Sequence, residues 1–190
     1  MARLGGAQGG VSRPSAALPD VIPGARVVLG VDPSLRGTGW GVLKLESSLL
    51  HHAGSGTITC HQKWVRSRCL AYIADAMREV TSKHCPEVCV FEGLFYAQNL
   101  GTALIMGEAR GASMAVVAQT GIPIYEIAPR KAKQAVVGYG AAQKEAVAKM
   151  VQRLLRLEEL PESDAADALA LAIALTQLFN KPAAKGATRV

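Results

Sequence analysis

The chain has 190 residues, 49% of them apolar and 19% charged, a composition that excludes a wholly disordered protein and fits one globular domain. The formal net charge is +6, but most of the excess lies at the ends: residues 1–26 carry three arginines against one aspartate, and residues 181–190 carry two lysines and one arginine. Basic ends of this kind occur in proteins that bind polyanions and also as merely solvated termini. No run of about 18 uncharged apolar residues is present, which excludes a membrane-spanning helix.

The two ends of the chain are predicted to lie outside the folded domain. Residues 1–25 are rich in Gly, Ala, Ser and Pro and show no periodicity, which predicts a disordered N-terminal extension. We expect the folded domain over residues 26–180 and a flexible basic tail over residues 181–190.

Three short apolar runs open the predicted domain. Residues 27–31 form a β-branched run that stops at Asp32 and Pro33, because proline cannot donate a hydrogen bond to a sheet. Residues 39–43 and 49–60 are predicted as the second and third strands. The short links between the three runs predict an antiparallel meander.

Helices and strands then alternate. A helical stripe of apolar residues runs from Trp64 to about Lys83, and the continuously apolar residues 88–91 suit a buried central strand that ends at Glu92. The remaining predicted elements are a helix over 102–120, a strand over 124–127, and helices from Pro129, over 144–157 and over 164–179, the last with Ser163 as its N-cap. This order predicts an α/β protein with a five-stranded mixed sheet and helices on both faces.

The four cysteines are Cys60, Cys69, Cys85 and Cys89. Zinc sites need two matched pairs of ligands, and only Cys85 and Cys89 are closely spaced. We therefore predict buried free thiols, which fit a reducing compartment. Because the N-terminus has no apolar signal region, we expect a cytoplasmic location.

Four acidic residues stand at the ends of predicted elements: Asp32, Glu92, Asp164 and Asp167. Asp32 ends the first strand before a turn, and Glu92 ends the buried fourth strand. Asp164 and Asp167 lie three residues apart, on one face of the last helix. Each aspartate alone also fits ordinary turn or helix-start chemistry, whereas a glutamate that closes an apolar strand has little local explanation.

We expect the first and fourth strands to be neighbours at the centre of the sheet, with the last helix closing over their ends. Carboxylates brought together in this way repel one another, and a divalent cation is the obvious compensation. Oxygen ligands favour Mg²⁺ or Mn²⁺. Two such ions about 3.5–4 Å apart are the usual device for in-line attack on a phosphodiester.

Five segments around and between these acids occur in a recognisable order: residues 28–33 with 37–41 (VLGVDP, GTGWG), 90–95 (VFEGLF), 107–111 (GEARG), 133–144 and 164–170 (DAADALA). They resemble, in that order, the first acidic motif, the second acidic motif, the dimer helix, the basic segment and the last acidic motif of the RuvC family of Holliday junction resolvases. The resemblance covers about residues 27–178.

The resemblance implies an RNase H-like fold, a homodimer, and structure-selective, metal-dependent cleavage of four-way DNA junctions that leaves ligatable nicks. Asp32, Glu92, Asp164 and Asp167 would be the catalytic metal ligands. They would hold two Mg²⁺ ions per active site, for which Mn²⁺ could substitute. A branch-migration motor complex is a further partner that the family implies.

DNA contacts also follow from the resemblance. Lys133 and Lys144 would lie near the scissile backbone and assist catalysis by binding phosphate. Arg130 and Lys131 would extend the DNA-binding surface. Phe95 would stack on unpaired bases at the junction centre, the other reading being that it caps the core.

The sequence departs from the family pattern at three positions. Ser34 stands where a glycine is usual, Gly93 where glutamine is frequent, and Gln98 where a basic residue is frequent. These changes are expected to alter the turn after Asp32, loop flexibility or the grip on the junction, but all four carboxylates are present. A binding-only relative and an RNA-directed relative stay open as alternatives. The turn over residues 32–39 (DPSLRGTG) also resembles the phosphate loop of sugar kinases and actin-like ATPases, but those proteins need two such domains and this chain is too short.

Overall fold

The computed structural model describes residues 25–47, 49–93, 100–179 and 187–190. The elements in chain order are β1 (Val27–Asp32), β2 (Gly37–Glu46), β3 (Leu49–Thr59), α1 (Arg66–His84), β4 (Val88–Glu92), α2 (Leu100–Gln119), β5 (Ile124–Ile127), α3 (Pro129–Val137), α4 (Lys144–Leu155), α5 (Ser163–Phe179) and β6 (Ala187–Arg189).

The strands form one mixed sheet in the order β3-β2-β1-β4-β5-β6. β1 pairs antiparallel with β2 and parallel with β4, so the first and fourth strands are central neighbours, as predicted. β2 and β3 form an antiparallel hairpin, and β4 pairs parallel with β5. The carboxyl ends of β1, β3, β4 and β5 therefore meet at one edge of the sheet.

The sixth strand is a correction to the predicted five. β6 pairs antiparallel with β5, with Tyr125 opposite Arg189. The expectation of a flexible tail over all of 181–190 is therefore wrong at residues 187–189. A three-residue edge strand shows no periodicity in the sequence, and its hydrogen bonds depend on a partner strand that is distant along the chain. Residues 181–186 and the extension 1–24 lie outside the described residues.

Helices cover both faces of the sheet, as predicted. Neighbouring residues of β1 point to opposite faces, as in any strand. Val28 belongs to the core shared with α3, α4 and α5, whereas Leu29 belongs to the core shared with α1 and α2. No helix within the described ranges is long and apolar enough to cross a membrane.

Two local predictions need correction. Ser163 is the first residue of α5 rather than its N-cap, because the carbonyl of Glu162 already accepts a hydrogen bond from the amide of Ala166 at 2.8 Å. All four cysteines are free, and three are buried, but Cys85 is exposed. Cys85 ends α1 in a left-handed conformation with φ 45°, and this turn lies at the surface.

Candidate active site

Asp32 and Glu92 come together because each is the last residue of a central strand. Val31 of β1 lies opposite Phe91 of β4 in the parallel register, so the two acids that follow are side by side and hydrogen-bonded. Burial, with the negative charges of Glu92 and Asp167, raises the pKa of Asp32 to about 8. Burial also raises the pKa of Glu92, although the hydrogen bond with Asp32 opposes this. At neutral pH Asp32 is therefore the protonated partner and donates to Glu92.

The first turn of α5 adds Asp164 and Asp167 to this pair, with Lys144 facing both. The Nζ atom of Lys144 lies 3.6 Å from Oδ1 of Asp164 and 3.3 Å from Oδ2 of Asp167. Burial alone would lower the pKa of Lys144, but the carboxylates of Asp167 and Asp164 outweigh it and the pKa is raised. Lys144 is therefore a firmly charged ammonium at the edge of the acidic cluster.

Glycines allow α5 to approach the sheet closely enough to place its aspartates. A Cβ atom on Gly39 of β2 would overlap the carbonyl oxygen of Asp164, and one on Gly30 of β1 would overlap that of Ala168. A Cβ on Gly37 would lie 2.6 Å from Oδ2 of Asp164. The backbone of α5 therefore lies directly against β1 and β2. The position of Asp164 depends on glycine, which has no Cβ atom, at these strand positions.

Lys133, at the other end of the basic segment from Lys144, also acts on the acids. The positive charge of Lys133 in α3 partly offsets the rise in the pKa of Glu92, which places this lysine in electrostatic contact with the cluster. Arg130 and Lys131 are exposed in the first turn of α3. The cluster of acids is thus bounded by Lys144 and Lys133, with two further cations on the helix that carries Lys133.

The donor set fits a hard divalent cation. All four acidic side chains offer oxygen ligands, and a shared proton and the Lys144 ammonium now offset their repulsion. Within the described ranges, no three acidic, histidine or cysteine side chains are already arranged around one ion position. The cluster therefore has the chemistry of a divalent-metal site.

Comparison with known proteins identifies the family. Residues 28–175 match the family model described as crossover junction endodeoxyribonuclease RuvC. The chain belongs to the RuvC family. This confirms the resemblance seen in the sequence, and with it the expected class of enzyme, an endodeoxyribonuclease. RuvC nucleases depend in general on a divalent metal, which agrees with the oxygen donors gathered here.

Curated relatives carry the same description. The RuvC of Tolumonas auensis is 40% identical over 147 residues, which cover 77% of this chain and 84% of that protein. The RuvC of Vibrio parahaemolyticus is 41% identical over 147 residues, which again cover 77% of this chain and 84% of that protein. The range matched by the family model, residues 28–175, includes all four carboxylates.

Solved structures agree with the fold. RuvC of T. thermophilus, in complex with Holliday junction substrate, is 31% identical with a TM-score of 0.72, over 78% of this chain and 92% of that one. The yeast mitochondrial Holliday junction resolvase Ydc2 shares the fold at 13% identity, with a TM-score of 0.58 over 85% of this chain and 86% of that one. The expected RNase H-like architecture of a RuvC protein is therefore confirmed.

Two of the three positions at which this chain departs from the RuvC pattern, Ser34 and Gly93, have ordinary local structure. The hydroxyl of Thr38 donates to the carbonyl of Ser34 at 2.6 Å and accepts from the Ser34 amide at 3.2 Å, which closes the turn after Asp32. The amide of Gly93 donates to the carbonyl of Ile127 at 2.9 Å. Phe95 and Gln98 lie outside the described residues, so the stacking role of Phe95 stays a prediction.

Sequence reasoning missed the pair of Arg110 and Glu126. Arg110 is buried in α2; one guanidinium nitrogen donates to the backbone carbonyl of Glu92 at 2.6 Å, and the other forms an ion pair with Glu126 of β5. The guanidinium also lies over the ring of Phe91, 5.5 Å from its centroid. This pair holds the end of β4 in place. The sequence signal that could have indicated this role is that Arg110 is the single basic residue of α2, a helix otherwise rich in small and apolar residues.

Replacing Arg110 by methionine is expected to lower the free energy of unfolding by about 1–3 kcal/mol, because the half-buried carboxylate of Glu126 loses its partner. Cleavage activity should also fall, since the carbonyl of Glu92 loses its donor. Urea unfolding measures the first effect. Arg78→Met removes an exposed ion pair with Asp75 on α1 and should cost no more than about 1 kcal/mol. Equal losses in the two variants would contradict the anchoring role.

Proposed function

We propose that the protein is a homodimeric, Mg²⁺-dependent endonuclease that resolves four-way DNA junctions by paired hydrolysis of phosphodiesters, leaving ligatable nicks. The observation that carries this is the convergence of Asp32, Glu92, Asp164 and Asp167 at one edge of the sheet in a RuvC-family chain. The T. thermophilus RuvC was solved with Holliday junction substrate, and this supports the same substrate here. Junction cleavage would take place in the cytoplasm, where bacterial DNA lies.

The four carboxylates would hold two Mg²⁺ ions. When bound, such ions polarise the attacking water and neutralise charge on the leaving 3′ oxygen. To act as a ligand, Asp32 gives up the proton that it shares with Glu92. Gly39 and Gly30 allow α5 to lie directly against the sheet, and this places its two aspartates at the strand ends. Preorganised charges of this kind cost little reorganisation during the reaction.

Two lysines would contact the phosphate under attack. Lys144 already lies within 3.6 Å of both aspartates of α5, so its ammonium is next to the position that a scissile phosphate must occupy to reach the acids. Lys133 acts from the side of Glu92. Each would neutralise one phosphate oxygen as negative charge develops in the transition state. Arg130 and Lys131 would bind the adjoining backbone, and Phe95 would stack on bases at the junction centre.

The exposed face of α2 supports a homodimer. Leu100 and Leu104 are 75% and 59% exposed, although both are apolar. Gly107 and Gly111 continue the same stripe, and a Cβ atom on either would meet nothing within 4 Å. A second copy of this helix would cover the stripe and bring two active sites into a two-fold arrangement, which suits the symmetry of a four-way junction. A branch-migration motor as a further partner stays a prediction.

Replacing Gly111 by glutamine is expected to convert the dimer to a folded monomer, because the added side chain meets nothing in its own chain but blocks close approach of a second helix. Sedimentation equilibrium across a range of protein concentrations would measure this, with circular dichroism to confirm the fold. Ser82→Gln on the exposed end of α1 is the matched control and should stay dimeric. A Gly111→Gln protein that is still dimeric would remove α2 as the interface.

The function is tested by cleavage of a synthetic four-way junction in Mg²⁺, beside a linear duplex of the same sequences. We expect paired, ligatable nicks on the junction alone, and binding without cleavage by an Asp167→Asn variant. Junction binding without cleavage in Mg²⁺ or Mn²⁺, across varied core sequences, would favour a binding-only protein. Preferential cleavage of a branched RNA would favour an RNA-directed enzyme.

A further inference from the structure

A group of exposed cations surrounds Trp64 at the start of α1. We call it the Trp64 patch, and it consists of Arg36, Lys63, Trp64, Arg66 and Arg68. It is separate from Lys133 and Lys144, which lie on α3 and α4 on the opposite face of the sheet. None of its members has a role in the site described above.

The patch lies at the same edge of the sheet as the catalytic acids. β3 runs parallel to β1 and ends at Thr59, opposite Gly37, so the chain enters α1 at the edge where Asp32 and Glu92 stand. Arg36 joins the two regions: its guanidinium donates to the carbonyls of His61 at 2.7 Å and Trp64 at 3.2 Å. The next residue, Gly37, faces Asp164. The patch is therefore continuous with the active site through one turn of chain.

The arrangement of charge favours an external anion. The Nε atom of Arg66 lies 3.3 Å from Oε2 of Glu108. Among the described residues, Glu108 is the carboxylate that pairs with the patch. The first turn of α1 contains no acidic residue, although a helix N-terminus is stabilised by acids and disfavours cations. Two arginines in that turn thus lower the stability of the helix unless an anion is bound.

The aromatic residues hold one of these cations in place. The guanidinium of Arg68 stacks on Trp64, 4.2 Å from the ring centroid. Tyr72 packs edge-on against the same ring at 5.3 Å. An ordered guanidinium loses less conformational freedom on binding a phosphate than a free side chain does.

We propose that the Trp64 patch binds the phosphate backbone of a duplex arm of the junction, beside the strand that enters the active site. The inference rests on the proposed function, because the anion is identified by its continuity with a phosphodiester-cleaving site. Duplex DNA presents one negative charge per about 1.7 Å of its axis. An arm that leaves the acidic cluster across the turn at Arg36 would bring several phosphates over Lys63, Arg66 and Arg68.

The test is the salt dependence of junction binding by a Lys63→Gln/Arg68→Gln variant, measured by fluorescence anisotropy in Ca²⁺, which should hold the junction uncut. Both side chains are exposed, so the fold should be retained. The matched control is Arg78→Gln/Lys83→Gln, which removes two cations from the other end of α1. Each lost phosphate contact reduces the slope of log affinity against log salt by about 0.9.

We expect the slope to fall by about 1.8 in the patch variant and to stay unchanged in the control. Between 50 and 200 mM salt, the parent protein would then lose roughly tenfold more affinity than the variant. An unchanged slope in the patch variant, with normal binding and cleavage by the parent, would overturn this inference and leave the proposed function intact. A parent protein that binds no junction would overturn the proposed function, and this inference with it.

Discussion

An Asp32→Asn variant is expected to lose junction cleavage by roughly 10²–10³-fold or more, the loss seen when one preorganised charge-stabilising group is removed from an active site. An amide oxygen is a poorer ligand than a carboxylate for a hard divalent cation. Junction binding should stay close to that of the parent, because the basic residues are unchanged. Single-turnover cleavage and equilibrium binding measure the two effects separately.

The same variant is expected to be more stable than the parent when divalent metal is removed. Burial and neighbouring carboxylates raise the pKa of Asp32 to about 8 in the folded protein, from 3.8. The folded state therefore holds a proton that the unfolded state releases, and the stability of the metal-free parent falls as pH rises between these two values. Asparagine needs no proton, and its amide can still donate to Glu92.

Urea unfolding at pH 5 and pH 8 with EDTA would measure this difference. The parent should lose about 2–4 kcal/mol between the two pH values through this group, the Asp32→Asn variant should lose less, and added Mg²⁺ should restore the parent at pH 8. Asp75→Asn, an exposed aspartate on α1, is the control and should leave the pH dependence as in the parent. If the stability of the parent rose between pH 5 and pH 8, the raised pKa of Asp32 would be contradicted.

A Gly39→Ala variant should lose both stability and cleavage. The added methyl group would overlap the carbonyl oxygen of Asp164, a backbone atom that cannot rotate away, so α5 must move off the sheet. Overpacking of this kind costs about 1–3 kcal/mol and occasionally more. Because Asp164 moves with the helix, we expect cleavage to fall at least about tenfold even where the protein is fully folded. Small misplacements of catalytic groups are enough to cause losses of this size.

Gly56→Ala is the matched control for this steric argument. It adds the same methyl group to the neighbouring strand β3, but there the nearest atom is the indole nitrogen of Trp40 at 3.2 Å, in a side chain that can shift. Its unfolding free energy should change less than that of Gly39→Ala, and its single-turnover cleavage rate should match the parent. Equal effects on cleavage would mean that the approach of α5 does not set the position of Asp164.

The carboxylates could be predicted from the sequence because each occupies a position defined by local rules. Pro33 ends a strand directly after Asp32, and the short apolar run before Glu92 suits a buried strand. Parallel central strands then bring both residues to one edge. The three-residue spacing of Asp164 and Asp167 places them on one helix face without any knowledge of the fold.

Other features depend on contacts between distant segments, which leave no periodic signal. The close approach of Gly39 to the carbonyl oxygen of Asp164 joins residues more than a hundred positions apart, and in the sequence this glycine is only the first residue of a predicted strand. Arg110 finds Glu126 and the carbonyl of Glu92 only after α2 packs across β4 and β5. The strand β6 exists because β5 offers an open edge.

Cleavage of a supercoiled plasmid that extrudes a four-way cruciform tests the central claim most directly, since one active site yields a nicked circle and two acting together yield a linear product. The account predicts linear plasmid in Mg²⁺ without accumulation of the nicked form, with cuts at symmetric positions on opposing strands. Nicked circles alone, or equal cleavage of a plasmid without the cruciform, would contradict a two-fold enzyme selective for four-way junctions.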